Sequence, residues 1–195
     1  MKSSHKVKIS VGATTILMIF VVLCLTTFAV LSFLTARSDL KLTSKSVTAT
    51  KEYYQADAKV EEWLGSVDDF LSLASKSAKI YVQNGVLTNL PIGEIPQEKQ
   101  AGIKSILSND SYSKEKKENE VYRQFQDLAV YKLKNIAIKP EPNAKKSYDY
   151  IVKVNDNFEI NVKLLLSNLD ETKRYQVVMR KLISLKQWEQ EQVEV

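Results

Sequence analysis

The first hydrophobic pattern in the chain is a long uncharged run near the N-terminus. Residues 9–36 carry no charged side chain, and residues 13–34 form a nearly continuous apolar stretch. A bilayer core about 30 Å thick needs about 20 apolar helical residues. We therefore predict a transmembrane helix over residues 13–36, preceded by a basic leader or cytoplasmic tail over residues 1–12.

Threonines recur inside this predicted span, and Thr26, Thr27 and Thr35 are examples. Their hydroxyls can bond to carbonyls of the preceding helical turn, and small side chains let neighbouring helices approach closely. An ordinary single span without a helical partner fits the same residues. Cys24 is interpreted as an apolar residue of the span.

The second pattern begins after the span, where apolar residues return at three- and four-residue steps. Such spacing is typical of a helix that buries one face. The stripe consists of Leu42, Ala49, Tyr53, Ala56, Val60, Trp63, Val67, Phe70, Ala74, Ala78 and Tyr81. Gly65 interrupts it and Ser66 offers a helix N-cap. We predict helices over residues 37–64 and 67–82, the second ended by Gly85.

The third pattern, near the C-terminus, has a period of two and predicts strands. Beyond the amphipathic region the predicted elements are helices over residues 97–107 and 114–135 and strands over about 147–155, 158–166 and 173–186. The alternation of the last strand slips near Arg180, which indicates a bulge. A three-stranded antiparallel meander with one apolar face needs a cover. The amphipathic helix is the predicted cover, so the fold class is α+β with an extracytoplasmic domain over residues 37–195.

Charge changes little once the chain is divided at the span. The 28 basic and 23 acidic residues give a net charge of +5. Three lysines precede the span, so 25 basic and 23 acidic residues follow it and that part carries +2. This near-neutral balance does not indicate nucleic-acid binding. We predict that the protein lies in the cytoplasmic membrane. A short tail before a large domain favours an N-terminus on the cytoplasmic side and a C-terminal domain outside, although the positive charges flanking the span are balanced.

The composition also excludes much enzyme chemistry. His5 and Cys24 are the single histidine and cysteine of the chain, and both precede the predicted domain. Ser-His-Asp or Cys-His catalysis, thiol-rich zinc sites and disulfide frameworks all need histidine or cysteine residues that the predicted domain lacks. Asp149, Asp156 and Asp170 fall at strand or turn positions and are assigned to solvent. We predict no catalytic residue, cofactor, metal or small-molecule ligand, and a carboxylate-only enzyme is the least favoured class.

Residues 12–61 carry several short motifs that follow one another in a defined order. A short basic leader ends in Gly12, Ala13 follows, and the apolar run begins, as at a prepilin peptidase junction. After the span come an aromatic pair, an Ala-acid-Ala step and a glutamate: Tyr53, Tyr54, Ala56, Asp57, Ala58 and Glu61. This region resembles the N-terminal region of type IV pilin-like proteins, specifically PilX-type minor pilins and K-type pseudopilins.

The resemblance implies a structural subunit of a bacterial pilus or type II secretion-type filament, with no enzymatic activity. Its partners would be the lipid bilayer, other pilin-like subunits and a prepilin peptidase acting at Gly12 and Ala13. Leu17 would be the fifth mature residue, where major pilins carry a glutamate and K-type subunits are uncharged. The resemblance assigns helix packing or assembly to Leu17, Tyr53, Tyr54, Ala56, Asp57 and Glu61. The alternative is a single-pass anchored extracytoplasmic sensor, adaptor or cell-envelope protein that does not polymerise.

Overall fold

The computed structural model describes residues 11–141 and 145–185 of the chain. Its elements are α1 (Val11–Asn84), α2 (Gln97–Leu107), α3 (Lys114–Gln126), α4 (Ala129–Lys132), β1 (Ile136–Pro140), β2 (Lys146–Lys153), β3 (Phe158–Leu166) and β4 (Tyr175–Ser184). The fold class is α+β, as predicted. The chain divides between Lys51 and Glu52 into two compact units, called here the N-terminal unit and the C-terminal unit.

The described part of the N-terminal unit is helical, and its side chains from Gly12 to Lys51 are all exposed. Within the described residues, α1 is the helix that is long and apolar enough to cross a membrane, with a mean hydropathy of 2.7 in its most apolar window. The hydroxyls of Thr26, Thr27 and Thr35 donate to carbonyls three or four residues earlier at 2.9–3.0 Å. The exposure of the apolar side chains over residues 13–34 is consistent with the predicted anchor.

The predicted helix break at Gly65 is wrong, because α1 continues through it to Asn84. Ser66 does not cap a new helix; its hydroxyl donates to the carbonyl of Glu62 at 3.0 Å. Glycine inside a helix costs about 1 kcal/mol relative to alanine. Trp63 and Val67 are buried on either side of Gly65, and their packing offsets that penalty.

The predicted end of this helix at Gly85 is confirmed. Gly85 has a φ of +70°, the left-handed conformation that favours glycine. Its backbone N–H donates to the carbonyl of Tyr81 at 2.7 Å. This bond satisfies one of the carbonyls that every helix C-terminus leaves open.

The predicted helix over 114–135 is too long, and the predicted sheet lacks one strand. The helix α3 stops at Gln126, the short α4 follows, and Asn135 turns the chain with a φ of +55°. The strand β1 then begins at Ile136. Its inward side chains, Ile136 and Ile138, lie opposite tyrosines of β2, and this pairing stabilises a segment too short to show a clear alternation by itself.

The four strands form an antiparallel meander in the order β1-β2-β3-β4. The second predicted strand, 158–166, has the observed bounds of β3, while β2 is one residue and β4 is four residues shorter than predicted. The bulge lies just before the predicted position: Lys163 pairs with Met179 and Leu164 pairs with Val177, so Val178 is the extra residue. A bulge of this kind bends the strand and increases its local twist.

Helix α1 covers the sheet within the C-terminal unit, as predicted. The buried stripe of the helix faces a core built with the inner sides of β2 and β3 and with α3. The fully buried members include Val60, Val67, Leu71, Ala74, Ala78, Tyr81, Val121, Phe125, Tyr148 and Leu164. Trp63 stacks on Tyr150 of β2, with ring centroids 4.3 Å apart and planes 4° from parallel.

Candidate functional site

The predicted processing residues lie at the start of the described helix. Gly12 and Ala13 belong to the first turn of α1, and both are exposed. Leu17 lies one turn further along and its side chain is 64% exposed. In the N-terminal unit this leucine presents an apolar, uncharged surface. Cleavage at Gly12 and Ala13 stays a prediction.

The aromatic pair of the resemblance is exposed in the C-terminal unit. Tyr53 and Tyr54 are 38% and 65% exposed, and their rings meet edge to face with centroids 5.7 Å apart. This geometry suits the aromatic quadrupole and holds the two rings together. Ala56, in contrast, is buried at 3% exposure and packs in the core beneath the helix.

The two acids of the resemblance hold the edge strand of the sheet. Asp57 and Glu61 are four residues apart, so their side chains lie on one face of α1. Both accept hydrogen bonds from the guanidinium of Arg180 on β4, and the bond from Nη1 to the Glu61 carboxylate is 2.6 Å long. The two carboxylates raise the pKa of Arg180 above its ordinary value. We call this group of Asp57, Glu61 and Arg180 the clasp.

A second ion pair joins α1 to the loop before β4. Arg174, just before β4, donates from Nη1 to both carboxylate oxygens of Asp68 at 2.7 and 2.9 Å. The turn between β2 and β3 is also attached, because Asn155 donates to Glu52 at 2.9 Å. Carboxylates of α1 therefore secure the periphery of the sheet, while the apolar stripe of the helix covers the centre.

Sequence reasoning missed Arg180 and Arg174 as partners of the helix acids. Partners separated by more than 100 residues in sequence leave no periodic signal. One available hint was a cation on a strand face that otherwise points toward a helix, since Arg180 lies opposite the buried Val162.

The strand β4 is an edge of the sheet with exposed apolar side chains on both faces. Val177, Val178, Met179 and Leu182 are 39–49% exposed, and Leu185 just beyond the strand is 47% exposed. These five residues are called here the edge surface. Exposed edge strands readily pair with other chains unless a bulge or charge blunts them. The bulge at Val178 and the charge of Arg180 do so here.

The described residues contain no cluster of three or more carboxylate, histidine or cysteine side chains that could hold a metal ion. The titratable group with the most strongly shifted pKa has a structural role. Burial raises the pKa of Tyr148, whose hydroxyl donates to the carbonyl of Gln126 at 2.7 Å. This hydrogen bond ties β2 to the end of α3. It gives no acid or base in an open site.

Comparisons with known proteins give no relative for this chain. No family model matches it, and no curated protein or solved structure matches it. The arguments that follow therefore use the residues and geometry of this chain.

Proposed function

We propose that the protein is a membrane-anchored pilin-like or minor pseudopilin-like structural subunit of a bacterial filament. One observation carries this proposal: the two parts of α1 have different surroundings. Its residues 12–51 are apolar or mixed and exposed, whereas residues 52–84 bury a stripe against a four-stranded meander. A helix that is apolar in one half and amphipathic in the other, where it covers a sheet, is the layout of the pilin-like subunits that residues 12–61 resemble.

The apolar part of α1 explains how such a subunit would be held and assembled. Its exposed side chains are stable in a bilayer and unstable in water. Outside the bilayer they need an equivalent apolar environment, which the helices of other subunits supply by close packing. Leu17 fits this role because a buried glutamate without a partner would be costly.

The residues that carry the resemblance divide into two roles in the C-terminal unit. Ala56, Asp57 and Glu61 act within the subunit, by packing in the core and by holding β4. Tyr53 and Tyr54 remain exposed as a rigid aromatic pair, a type of surface that is enriched in protein interfaces. We assign subunit contact to the tyrosine pair and internal support to the other three residues.

Mass spectrometry of the chain isolated from its native membranes tests the proposal. The expected mature chain begins at Ala13, with an N-methylated amine. Gly12→Val should leave the leader attached, because the peptidase needs a small residue at that position. Gly65→Ala is the matched control, since it changes a glycine of the same helix away from the junction, and it should be processed normally.

An intact Met1 on the wild-type chain would overturn the pilin proposal and favour the alternative, a single-pass anchored extracytoplasmic protein. Fractionation separates the two classes independently. A filament subunit should appear in material sheared from the cell surface. A sensor or adaptor should remain in the membrane fraction under every growth condition tested.

A further inference from the structure

A cleft of about 390 Å³ opens on the C-terminal unit beside the stacked pair Trp63 and Tyr150. Its wall combines side chains of α1, of the segment between α4 and β1, and of β2. This volume lies in the lower part of the range of small-molecule sites. None of the residues to which the proposed function assigns a role lines it.

The cleft is cationic. Lys59, Lys132 and Lys134 line it against a single carboxylate, that of Glu62. Within the described residues none of the three lysines forms an ion pair, although the ammonium of Lys132 lies close to Gly93. Lys59 and Lys134 are therefore the cations most available to a ligand.

Trp63, one of the residues that line the cleft, carries a hydrogen-bond donor without an acceptor. Trp63 is 95% buried, since 5% of its surface is exposed, and its Nε1 has no hydrogen-bond partner among the described residues. Buried polar groups in native proteins are nearly always paired, and an indole N–H can act only as a donor. A ligand oxygen would supply the missing acceptor.

We infer that this cleft binds a phosphate group, carried by a soluble phosphate ester or by a phospholipid. Phosphate offers several oxygens to the ammonium groups of Lys59 and Lys134, and lysine is a common phosphate ligand. Nε1 of Trp63 is shielded from solvent, so the wall of the cleft must move before one of those oxygens can accept from it. This inference is independent of the filament proposal.

The indole N–H signal of Trp63 in nuclear magnetic resonance is a direct readout. The full chain carrying Trp188→Phe, in maltoside micelles, leaves Trp63 as its single tryptophan. Titration with glycerol 3-phosphate should shift this signal to saturation, with a dissociation constant in the millimolar range. Glycerol, with sodium chloride at matched ionic strength, should leave it unchanged.

Substitution of the cations tests the assignment. Lys59→Gln and Lys134→Gln should each weaken binding about fivefold, the value of one exposed ion pair. Lys173→Gln, in the loop between β3 and β4 and outside the cleft, is the matched control and should bind normally. Phosphatidic acid added to the micelles in place of the ester identifies a lipid source if it produces the same shift.

Three results would overturn the inference. The first is a signal that neither phosphate probe shifts. The second is an equal response to glycerol 3-phosphate and to glycerol. The third is undiminished binding by the double variant of Lys59 and Lys134.

Discussion

The two parts of α1 place hydrophobic residues in opposite surroundings. In the N-terminal unit the large apolar side chains are the exposed ones, and Leu23 and Phe28 are 57% and 71% exposed. In the C-terminal unit small side chains are among the most deeply buried, and Ala74 and Ser77 have no exposed surface. Hydrophobicity alone therefore does not decide burial within one helix; the presence of a partner element does.

This difference has a physical reason in each part. Where other parts of the C-terminal unit lie against the helix, close approach of backbones favours alanine and serine. The Ser77 hydroxyl, for example, accepts a hydrogen bond from the backbone N–H of Ile92, in the loop after α1, at 2.9 Å. Where no described element covers the helix, the apolar residues need another solvent. A bilayer is such a solvent, and large aliphatic residues favour insertion into it.

The largest expected loss of stability comes from a substitution in the buried part of α1, and the matched substitution in the exposed part should cost almost nothing. Leu71 is fully buried, and Leu71→Ala should lower the free energy of unfolding of the C-terminal unit by about 2–5 kcal/mol through lost contacts and a cavity. Leu23→Ala, the matched change in the exposed part, should alter it by less than about 0.5 kcal/mol. Urea unfolding of the full chain in micelles, followed by tryptophan fluorescence, measures both. Equal losses would show that the comparison is wrong.

The next effect concerns buried tyrosines. Tyr148→Phe removes the hydroxyl that donates to the Gln126 carbonyl, and it should cost about 1–3 kcal/mol at neutral pH. Thermal melts of the variant and the wild type measure this loss. Tyr54→Phe, at an exposed tyrosine, is the control and should melt as the wild type does.

The same tyrosines predict alkaline sensitivity of the C-terminal unit. Burial raises the pKa of Tyr148, and also that of Tyr122 and Tyr81, above the ordinary value of 10.0. The unfolded chain loses these protons above about pH 10 while the folded chain keeps them, so stability is fully present below pH 10 and falls as pH rises. Tyr148→Phe should make this fall less steep, and an unchanged pH dependence would contradict the assignment.

Two glycine substitutions should have smaller effects on stability. They test whether burial or backbone conformational preference stabilises α1 near Gly65 and Gly85. A Cβ built at Gly65 contacts nothing within 4 Å, so Gly65→Ala should stabilise the C-terminal unit by about 0.5–1 kcal/mol. Gly85→Ala should destabilise it by about 1 kcal/mol, because an alanine is strained in the left-handed conformation. Denaturant midpoints compare the two, and a loss of stability at Gly65 would indicate that the helix bends there.

The smallest effect concerns the clasp. Arg180→Gln breaks the contacts with Asp57 and Glu61, but these groups are partly exposed, so the loss should stay below about 1 kcal/mol. In 1 M salt the difference between variant and wild type should nearly vanish. Lys181→Gln, at the neighbouring position on the other face of β4, should have no effect in either condition. A loss that salt does not change would assign Arg180 a packing role.

The sequence predicts the buried stripe well from Ala56 to Tyr81, because helical periodicity repeats over many turns. Its first three members, Leu42, Ala49 and Tyr53, are exposed instead. The compact C-terminal unit begins only at Glu52, so the first two precede it and Tyr53 lies at its very start. Periodicity reports which face of a helix is apolar. It does not report where the covering element starts.

The clasp and the strand β1 show why the rest could not be predicted. The pairing of Arg180 with Asp57 depends on the register of the whole sheet, and no local pattern carries that information. The strand β1 has five residues and ends in Pro140, so its two inward isoleucines are too few to distinguish a strand from a turn. The stacking of Trp63 on Tyr150 likewise follows from the assembled sheet.

The order in which the chain is made has a consequence for the buried stripe of α1. Leu71 leaves the ribosome before Leu164, its companion in the core, and 93 residues separate the two positions. At about 5–20 residues per second, the helix waits roughly 5–20 s for its sheet. During that interval the newly made stripe is an amphipathic surface without a cover, so each new molecule depends on the translation machinery, a chaperone or the membrane surface to shield it until β3 is synthesised.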